Sequence, residues 1–482
     1  MEKRREALLN HLQRLLPDPT QAADFRRAMV TQPDTAVRLN RLVPAAHSLR
    51  DSLAEIALPV AWCENAFVLP RDDSETGIGH SLEYLLGGVY IQAKATTLAV
   101  TALDPRPGEL VLDLAAAPGG KATQIATAMG NSGLLMTNEP QRRRVASLVG
   151  NLQRCGVHNT VVSSTPGTML ARWLHNRFDR VLLDAPCSGD GILCKDTSML
   201  SYWSPEDTRN MGLQQTGLLR AAFHMLRPGG RLVYSTCSLS TEENEDVVMG
   251  LWRRYPNSGR QVPLGCFSSP ALPREVAASY PDDVVRYSAR IWPHLHDTEG
   301  AFVAVIEKTA PTQWRPAEGD VLSGEANSSA QEEGCHRQRI QERWGIDLDV
   351  PADHRLIAVG KHLHLRPTLA DPMLTELPWY VRAGMRVAGL QGDHFYLAQQ
   401  ALSLWGNQVV ERRVEVSWDN LRTLFRGASV QLEEPASVRG EVVVTHGPWV
   451  VCRGQVSGED QRDLEGFLPK VLRTSRLRRL CP

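Results

Sequence analysis

Leu8, Leu9, Leu12, Leu15 and Leu16 recur at the spacing of one helical face, and the run stops at Pro17 and Pro19, which predicts a helix at the start of the chain. Residues 59–70, PVAWCENAFVLP, read as a short strand pair, and the stretch to about 90 reads as loop. Residues 1–90 are therefore expected to form a small mixed α/β adaptor. From 91 to 308 apolar runs alternate with helical stretches: ELVLDLA at 109–115, GLLMTNE at 133–139, TVVSS at 160–164, RVLLDAP at 180–186, RLVYSTCS at 231–238 and FVAVIEK at 302–308. This alternation predicts an α/β domain built on a mostly parallel, doubly wound sheet, with ligands at the carboxyl ends of its strands. Residues 309–334 are rich in Pro, Gly, Ser and acidic side chains, without apolar period, and predict a linker. Beyond them short apolar runs between glycines predict an intermediate unit over 335–389 and a β-rich domain over 390–482. Its tail carries Lys470, Arg473, Arg476, Arg478 and Arg479, either a solvated helix face or a phosphate contact.

Composition narrows the class. A chain of 482 residues with 42% hydrophobic and 22% charged residues is an ordinary globular protein of about three domains, not a fibre or a disordered chain. The net charge of -1 excludes a protein that coats nucleic acid non-specifically, so any affinity for nucleic acid is local. No apolar run reaches the roughly 20 residues of a membrane span, and Lys3, Arg4, Arg5 and Arg14 interrupt the opening leucines. A cytoplasmic protein is expected, neither secreted nor embedded. The nine cysteines are odd in number and form no C-x-x-C pair, which fits a reducing compartment. Cys187 and Cys194 match no common zinc spacing, and no metal is expected.

The candidate chemistry lies at strand ends. The run at 110–114 leads into Ala115, Ala116, Ala117, Pro118, Gly119, Gly120 and Lys121, then a helix predicted over 122–129. Glycines at such a turn let a ligand approach the backbone, and the free amides of the helix start favour a polar or negative group. The spelling is neither a phosphate-gripping G-x-x-x-x-G-K-[ST] loop nor G-x-G-x-x-G. Glu139, about 20 residues beyond the glycines at the end of the next strand, can accept hydrogen bonds from both hydroxyls of a ribose, so adenosine without phosphates fits. Two more strands end in thiols: Asp184-Ala185-Pro186-Cys187-Ser188-Gly189-Asp190-Gly191 and Ser235-Thr236-Cys237-Ser238.

DLAAAPGGK, Glu139, LLDAPCSGDG, LRPGG, and YSTCS followed by TEENE together resemble the RNA cytosine-C5 methyltransferases that use S-adenosylmethionine, over about residues 85–308. WCENAFVLP, VYIQAKA, the linker and the C-terminal extension make the whole layout similar to the bacterial branch acting on the small ribosomal subunit. The resemblance implies a Rossmann-like core with cofactor contacts from Ala116, Ala117, Pro118, Gly119, Gly120, Lys121, Ala122, Glu139 and Asp184. It also implies Cys237 as nucleophile, Cys187 in product release and Asp184 as holder of the base. The implied extension is a PUA-type RNA-binding fold, whose Trp405, Trp418 and Trp449 are expected in its core. The implied partner is 16S ribosomal RNA within the 30S subunit, met by a monomer.

The residue types suit that reaction. Carbon 5 of cytosine is a poor nucleophile, so a thiolate adds first to carbon 6 and makes an enamine that accepts the methyl group. A carboxylate at Asp184 distinguishes cytosine from uracil through ring nitrogen 3 and the exocyclic amine. Lys121, and Lys195 beyond the Cys187 loop, are open between RNA or cofactor contact and surface roles. One departure stands out: Pro166 occupies the place where related enzymes put an Asp on the adenine, which leaves the backbone or a serine for that contact. The alternatives are a transfer RNA substrate and a non-catalytic assembly factor that keeps the fold.

Overall fold

The computed structural model describes residues 1–16, 18–69, 77–267, 272–313, 330–376, 380–391 and 394–480. The part of the expected linker from 314 to 329, and Pro70 of the expected strand pair, lie outside the described residues.

The core sheet comprises β1 (Leu110–Asp113), β2 (Leu134–Asn138), β3 (Thr160–Ser163), β4 (Phe178–Asp184), β5 (Leu226–Thr236), β6 (Gly259–Val262), β7 (Ser288–Ile291), β8 (Ala301–Lys308) and β9 (Tyr380–Ala383). Its order is β6-β8-β5-β4-β1-β2-β3-β9, with β7 also on β8. The pairs β1–β2, β2–β3, β1–β4 and β4–β5 are parallel. The α/β, mostly parallel doubly wound class read from the sequence is the one found. Strand residues alternate between faces. Leu112, Leu134, Val181 and Leu232 pack under α4 (Pro205–Met225) and α5 (Glu245–Arg254). Val111, Leu135, Leu182 and Val233 pack under α1 (Lys94–Leu103), α2 (Gly120–Met129) and α3 (Arg142–Arg154). The two strands that read least like core, β6 and β7, are short pieces whose place comes from antiparallel pairing to β8.

The opening helix is Glu2–Gln13, and a second, Pro19–Ala28, follows with Pro at its first turn and Asp18 accepting from the Thr20 amide at 2.8 Å. Leu8, Leu12 and Phe25 of these helices, with Met29 just beyond the second, are buried against Met199, Trp203, Leu239 and Trp292 of the core domain. The predicted strand pair is Leu58–Val60 and Cys63–Val68, antiparallel. It joins Ala36–Leu39 and Val89–Ile91 in a four-stranded sheet. Arg38 is buried and tethers this sheet to the core: its guanidinium donates to Thr123 Oγ1 at 2.7 Å and to the Gly120 carbonyl at 3.2 Å.

Downstream, a four-stranded sheet spans His354–Val359, His362–Pro367, Met385–Gln391 and His394–Leu397, so position 390 falls inside it. β9, which precedes its third strand, adds antiparallel to β3 with Arg382 opposite Val162. A five-stranded sheet follows, with Gly440–His446 and Trp449–Ser457 at its centre. Trp449 is buried, while Trp405 and Trp418 are partly buried against their clusters. The basic tail is not a helix beyond one turn at Lys470–Leu472. Its leucines Leu472, Leu477 and Leu480 are buried, and Arg478 exchanges backbone hydrogen bonds with Leu82 and His80.

Val37, Leu39, Phe67, Leu82 and Val89 of the first 90 residues share one hydrophobic cluster with Leu421, Phe425, Val444, Leu464 and Leu477 of the last 70. Each buried side chain of this size contributes about 2 kcal/mol. A chain ended after residue 313 is expected to bind a hydrophobic dye and aggregate where the full chain does not. A soluble, dye-silent fragment would refute the shared core.

Candidate active site

β4 and β5 pair in parallel with Asp184 opposite Ser235, so the loops that leave them start side by side. The Cys187 and Cys237 sulfurs lie 3.0 Å apart, both unoxidised and partly exposed. Residues 50 positions apart in the chain thus form one pair. Asp190 holds the two loops together. Its buried carboxylate, in the Cys187 loop, accepts from the Leu239 amide at 2.6 Å, from Ser238 Oγ at 3.0 Å and from Ser240 Oγ, all in the Cys237 loop. The Gly191 amide donates to the Cys237 carbonyl at 2.9 Å. A Cβ on Gly191 would stand 2.5 Å from that oxygen, so the approach requires glycine. Behind the pair, buried Glu243 accepts from the Ser188 amide at 2.9 Å and from Gln215 Nε2 at 2.7 Å, and Gln215 also donates to the Pro186 carbonyl at 2.8 Å.

Burial, and then the nearby Asp190, push Glu243 up to about 7. The Cys187 thiol is raised well above the ordinary cysteine value, by its hydrogen bond with Cys237, by burial, and by like charge from Cys237 and Glu243. Two thiolates at this separation would repel strongly in a site of low dielectric. Cys187 therefore keeps its proton near neutrality.

The turn after β1 lies beside these thiols through one ion pair: Lys121 Nζ is 2.7 Å from Asp184 Oδ2, and Ser235 Oγ donates to Asp184 Oδ1 at 2.7 Å. Burial works against the charge on Lys121, but Asp184, Asp113 and Cys237 outweigh it and raise its pKa. Lys121 is thus a fixed cation within the field of Cys237. Gly119 adopts φ 112° at the turn, a conformation open to glycine. Arg144 Nη2 donates to the Ala117 carbonyl at 2.6 Å and Asn151 Nδ2 to that of Pro118 at 2.9 Å, so α3 braces the turn from outside. Ala116, Ala117 and Ala122 are buried and Pro118 is exposed.

Glu139 directly follows β2 and is 1% exposed. Its Oε1 accepts from the Gln141 amide at 2.8 Å, while Oε2 lies 3.3 Å from Arg144 without a hydrogen bond. Ser164 Oγ, beside exposed Pro166, is also buried without a partner. Lys195 is exposed and is paired with the buried carboxylate of Glu299. Asp190, Glu243 and Asp113 went unremarked in the sequence, although SGDG, TEENE and DLAAAPGGK contain them. Acidic residues beside glycines and serines are common, and nothing in their spacing shows that they are buried.

The comparisons with known proteins bear on this geometry. The description "16S rRNA methyltransferase RsmB/F" matches residues 100–307, and "N-terminal domain of 16S rRNA methyltransferase RsmF" matches residues 5–94. The ribosomal RNA small subunit methyltransferase F of Vibrio cholerae is 34% identical over 464 residues, 94% of each chain. The chain belongs to the 16S rRNA methyltransferase RsmB/F family. The enzyme of the same title from Klebsiella pneumoniae strain 342 is 34% identical over 91% of each chain. Among solved structures, a methyltransferase homolog protein from Pyrococcus horikoshii superposes with a TM-score of 0.53 at 30% identity, covering 63% of this chain and 99% of its own. In this RsmB/F family member no helix among the described residues is long and apolar enough to cross a membrane.

Asp113 gives a direct test of the site's electrostatics. Burial, and next the charge of Asp184, hold it up at about 7, with both oxygens short of full hydrogen-bond geometry. The folded chain therefore keeps a proton that an unfolded carboxyl releases near ~4. That contribution to stability is complete below this lower value and is lost as pH rises through about 7. The melting temperature of Asp113→Asn relative to the parent is expected to climb between about pH 4 and pH 7 and then level off. A difference independent of pH would mean that Asp113 ionises as an ordinary carboxyl.

Proposed function

We propose that the chain methylates carbon 5 of a cytosine in small-subunit ribosomal RNA, using S-adenosylmethionine and a transient bond from Cys237 to carbon 6 of the base. The observation that carries this reading is the 3.0 Å thiol pair beside an Asp184–Lys121 ion pair. That ion pair links the thiols to a glycine turn of the kind that accepts a nucleoside. A protein that only bound RNA would have no use for two adjacent reduced cysteines held by a buried carboxylate.

The residues present fit the cofactor. Glu139 Oε2 is a buried acceptor without a hydrogen bond, suited to a ribose hydroxyl, and Ser164 Oγ offers the adenine contact that Pro166 cannot make. Residues 116–122 line the turn, and Asp184 faces it through Lys121. When bound, S-adenosylmethionine supplies an electrophilic methyl group.

The chain's own groups do the rest. Cys237, in the field of Lys121, adds as thiolate to carbon 6, and electron density moves to carbon 5. Asp184 retains acceptor capacity beyond its two hydrogen bonds. It accepts from the exocyclic amine of the base and, once ring nitrogen 3 has taken a proton from solvent during the addition, from that N–H as well, stabilising the protonated ring. Once the Cys237 sulfur is a neutral thioether, its hydrogen bond with Cys187 and its like charge, two of the causes that raise the Cys187 thiol beside burial, are changed. Cys187 then gives its own proton to solvent and, as thiolate, takes the proton from carbon 5. The electrons of that carbon–hydrogen bond form the carbon 5–carbon 6 double bond and the carbon–sulfur bond breaks, its electron pair returning to Cys237. One pair of sulfurs thus serves as nucleophile and base in turn.

The C-terminal sheets and the N-terminal unit supply the grip on RNA in this reading, and the 30S subunit is the substrate form we favour. A tritiated-methyl assay on 30S subunits and on free RNA tests both points, and absence of label on either would leave a binding role instead. Cys237→Ala is expected to lower transfer by more than about a thousandfold while S-adenosylmethionine still binds. Cys187→Ala is expected to accumulate a denaturant-resistant complex of protein and RNA. Efficient turnover by Cys187→Ala without such a complex would overturn the division of labour.

A further inference from the structure

A second cluster of unusual chemistry lies at the far edge of the core sheet. Two separate cavities, of about 400 Å³ and about 370 Å³, differ in kind. The first is lined by both acidic and basic groups, while the second gathers Arg382, Arg386 and Arg453 around Tyr396 and Phe467.

Three parts of the chain build this second cavity. Arg382 comes from β9 on the core sheet, Arg386 and Tyr396 from the four-stranded sheet, and Arg453 and Phe467 from the C-terminal domain. Tyr396 lies between two guanidinium groups, with Arg453 at 4.6 Å and Arg386 at 5.5 Å from its ring centroid, and Arg453 is also 5.4 Å from Phe467. Arg453 is held by Glu441 at 2.9 Å. Among the described residues Arg382 and Arg386 have no carboxylate partner: Arg382 donates to the Gly384 carbonyl at 3.1 Å and faces the amide oxygen of Gln153, and Arg386 donates to the Tyr396 hydroxyl. Arg386 Nε is buried without a partner. Burial and then Arg386 lower Arg382 to about 10, and burial with Arg382, His362 and Arg386 lowers neighbouring His364 to about 4. Uncompensated positive charge is thus concentrated at this junction.

Guanidinium forks match phosphate oxygens, and exposed aromatic rings stack on bases of any sequence. Phe467 is 36% exposed. We infer that the Arg382–Arg386–Arg453 cavity, with Tyr396 and Phe467, is a second RNA site that takes a backbone phosphate and a stacked base of a single-stranded segment. β9 stands four ladder steps from β4, about 19 Å at ~4.8 Å per step, so this segment is not the target nucleotide. The site grips the same RNA at a distance from the thiols. It deepens the proposed function and rests on it only for the identity of the RNA.

The test uses the full chain without S-adenosylmethionine and a fluorescein-labelled single-stranded 16S fragment, with affinity measured across salt concentrations. Arg386→Gln is expected to weaken binding about tenfold and to reduce the slope of log affinity against log salt by about one. Phe467→Ala, at an exposed position, is expected to weaken binding about tenfold with the slope unchanged. In the methyl-transfer assay both raise KM for RNA. Parental affinity and slope in both variants would overturn the site, as would loss of binding to a protein partner with RNA binding intact. If the methyl-transfer assay fails while these RNA losses appear, the site stands and the catalytic reading falls.

Discussion

Parallel pairing of β4 with β5, in the register that sets Asp184 against Ser235, is the constraint on which the site depends. Both strands then deliver their loops to one edge of the sheet, and the Asp190 carboxylate fastens the loops to each other. A carboxylate buried in this way costs free energy unless its lone pairs are used. Here the Leu239 amide and two serine hydroxyls use them. The result is a thiol pair whose separation is set by backbone and not by flexible side chains.

Charge in the site is arranged as carefully as distance. Asp113 and Glu243 are raised to about 7 by burial, whereas Lys121 remains a cation through its contact with Asp184. Near neutrality the site thus carries fewer negative charges than its carboxyls and thiols would suggest. That suits a reaction that begins with one anionic sulfur and a neutral base. The proton on Cys187 is part of the same arrangement, because its pKa depends on the state of Cys237.

Much of this was legible in the residues. Six apolar runs between 109 and 308 each became a strand of one sheet, since a strand buried on both faces must be nearly continuously apolar. The glycine turn, Glu139 and both cysteine loops occupy the strand ends where alternation placed them. Other features were not legible. β6 and β7 are short and mixed in character, and pairing to β8 makes them strands. The tail reads as basic, yet its leucines are what anchor it, because burial depends on the surface that the first 90 residues present. Pro166 offers no side-chain hydrogen bond where an Asp was expected, and Ser164 Oγ close by is buried without a partner.

The sequence by itself determined the class of fold and the kinds of chemical group available, because apolar period and residue type act locally along the chain. Tertiary structure alone decided that Cys187 and Cys237 touch, that Lys121 belongs to Asp184 and Lys195 to Glu299, and that the two ends of the chain share a core. Those outcomes depend on strand register and on which surfaces exclude water, and both are set by contacts between residues tens to hundreds of positions apart.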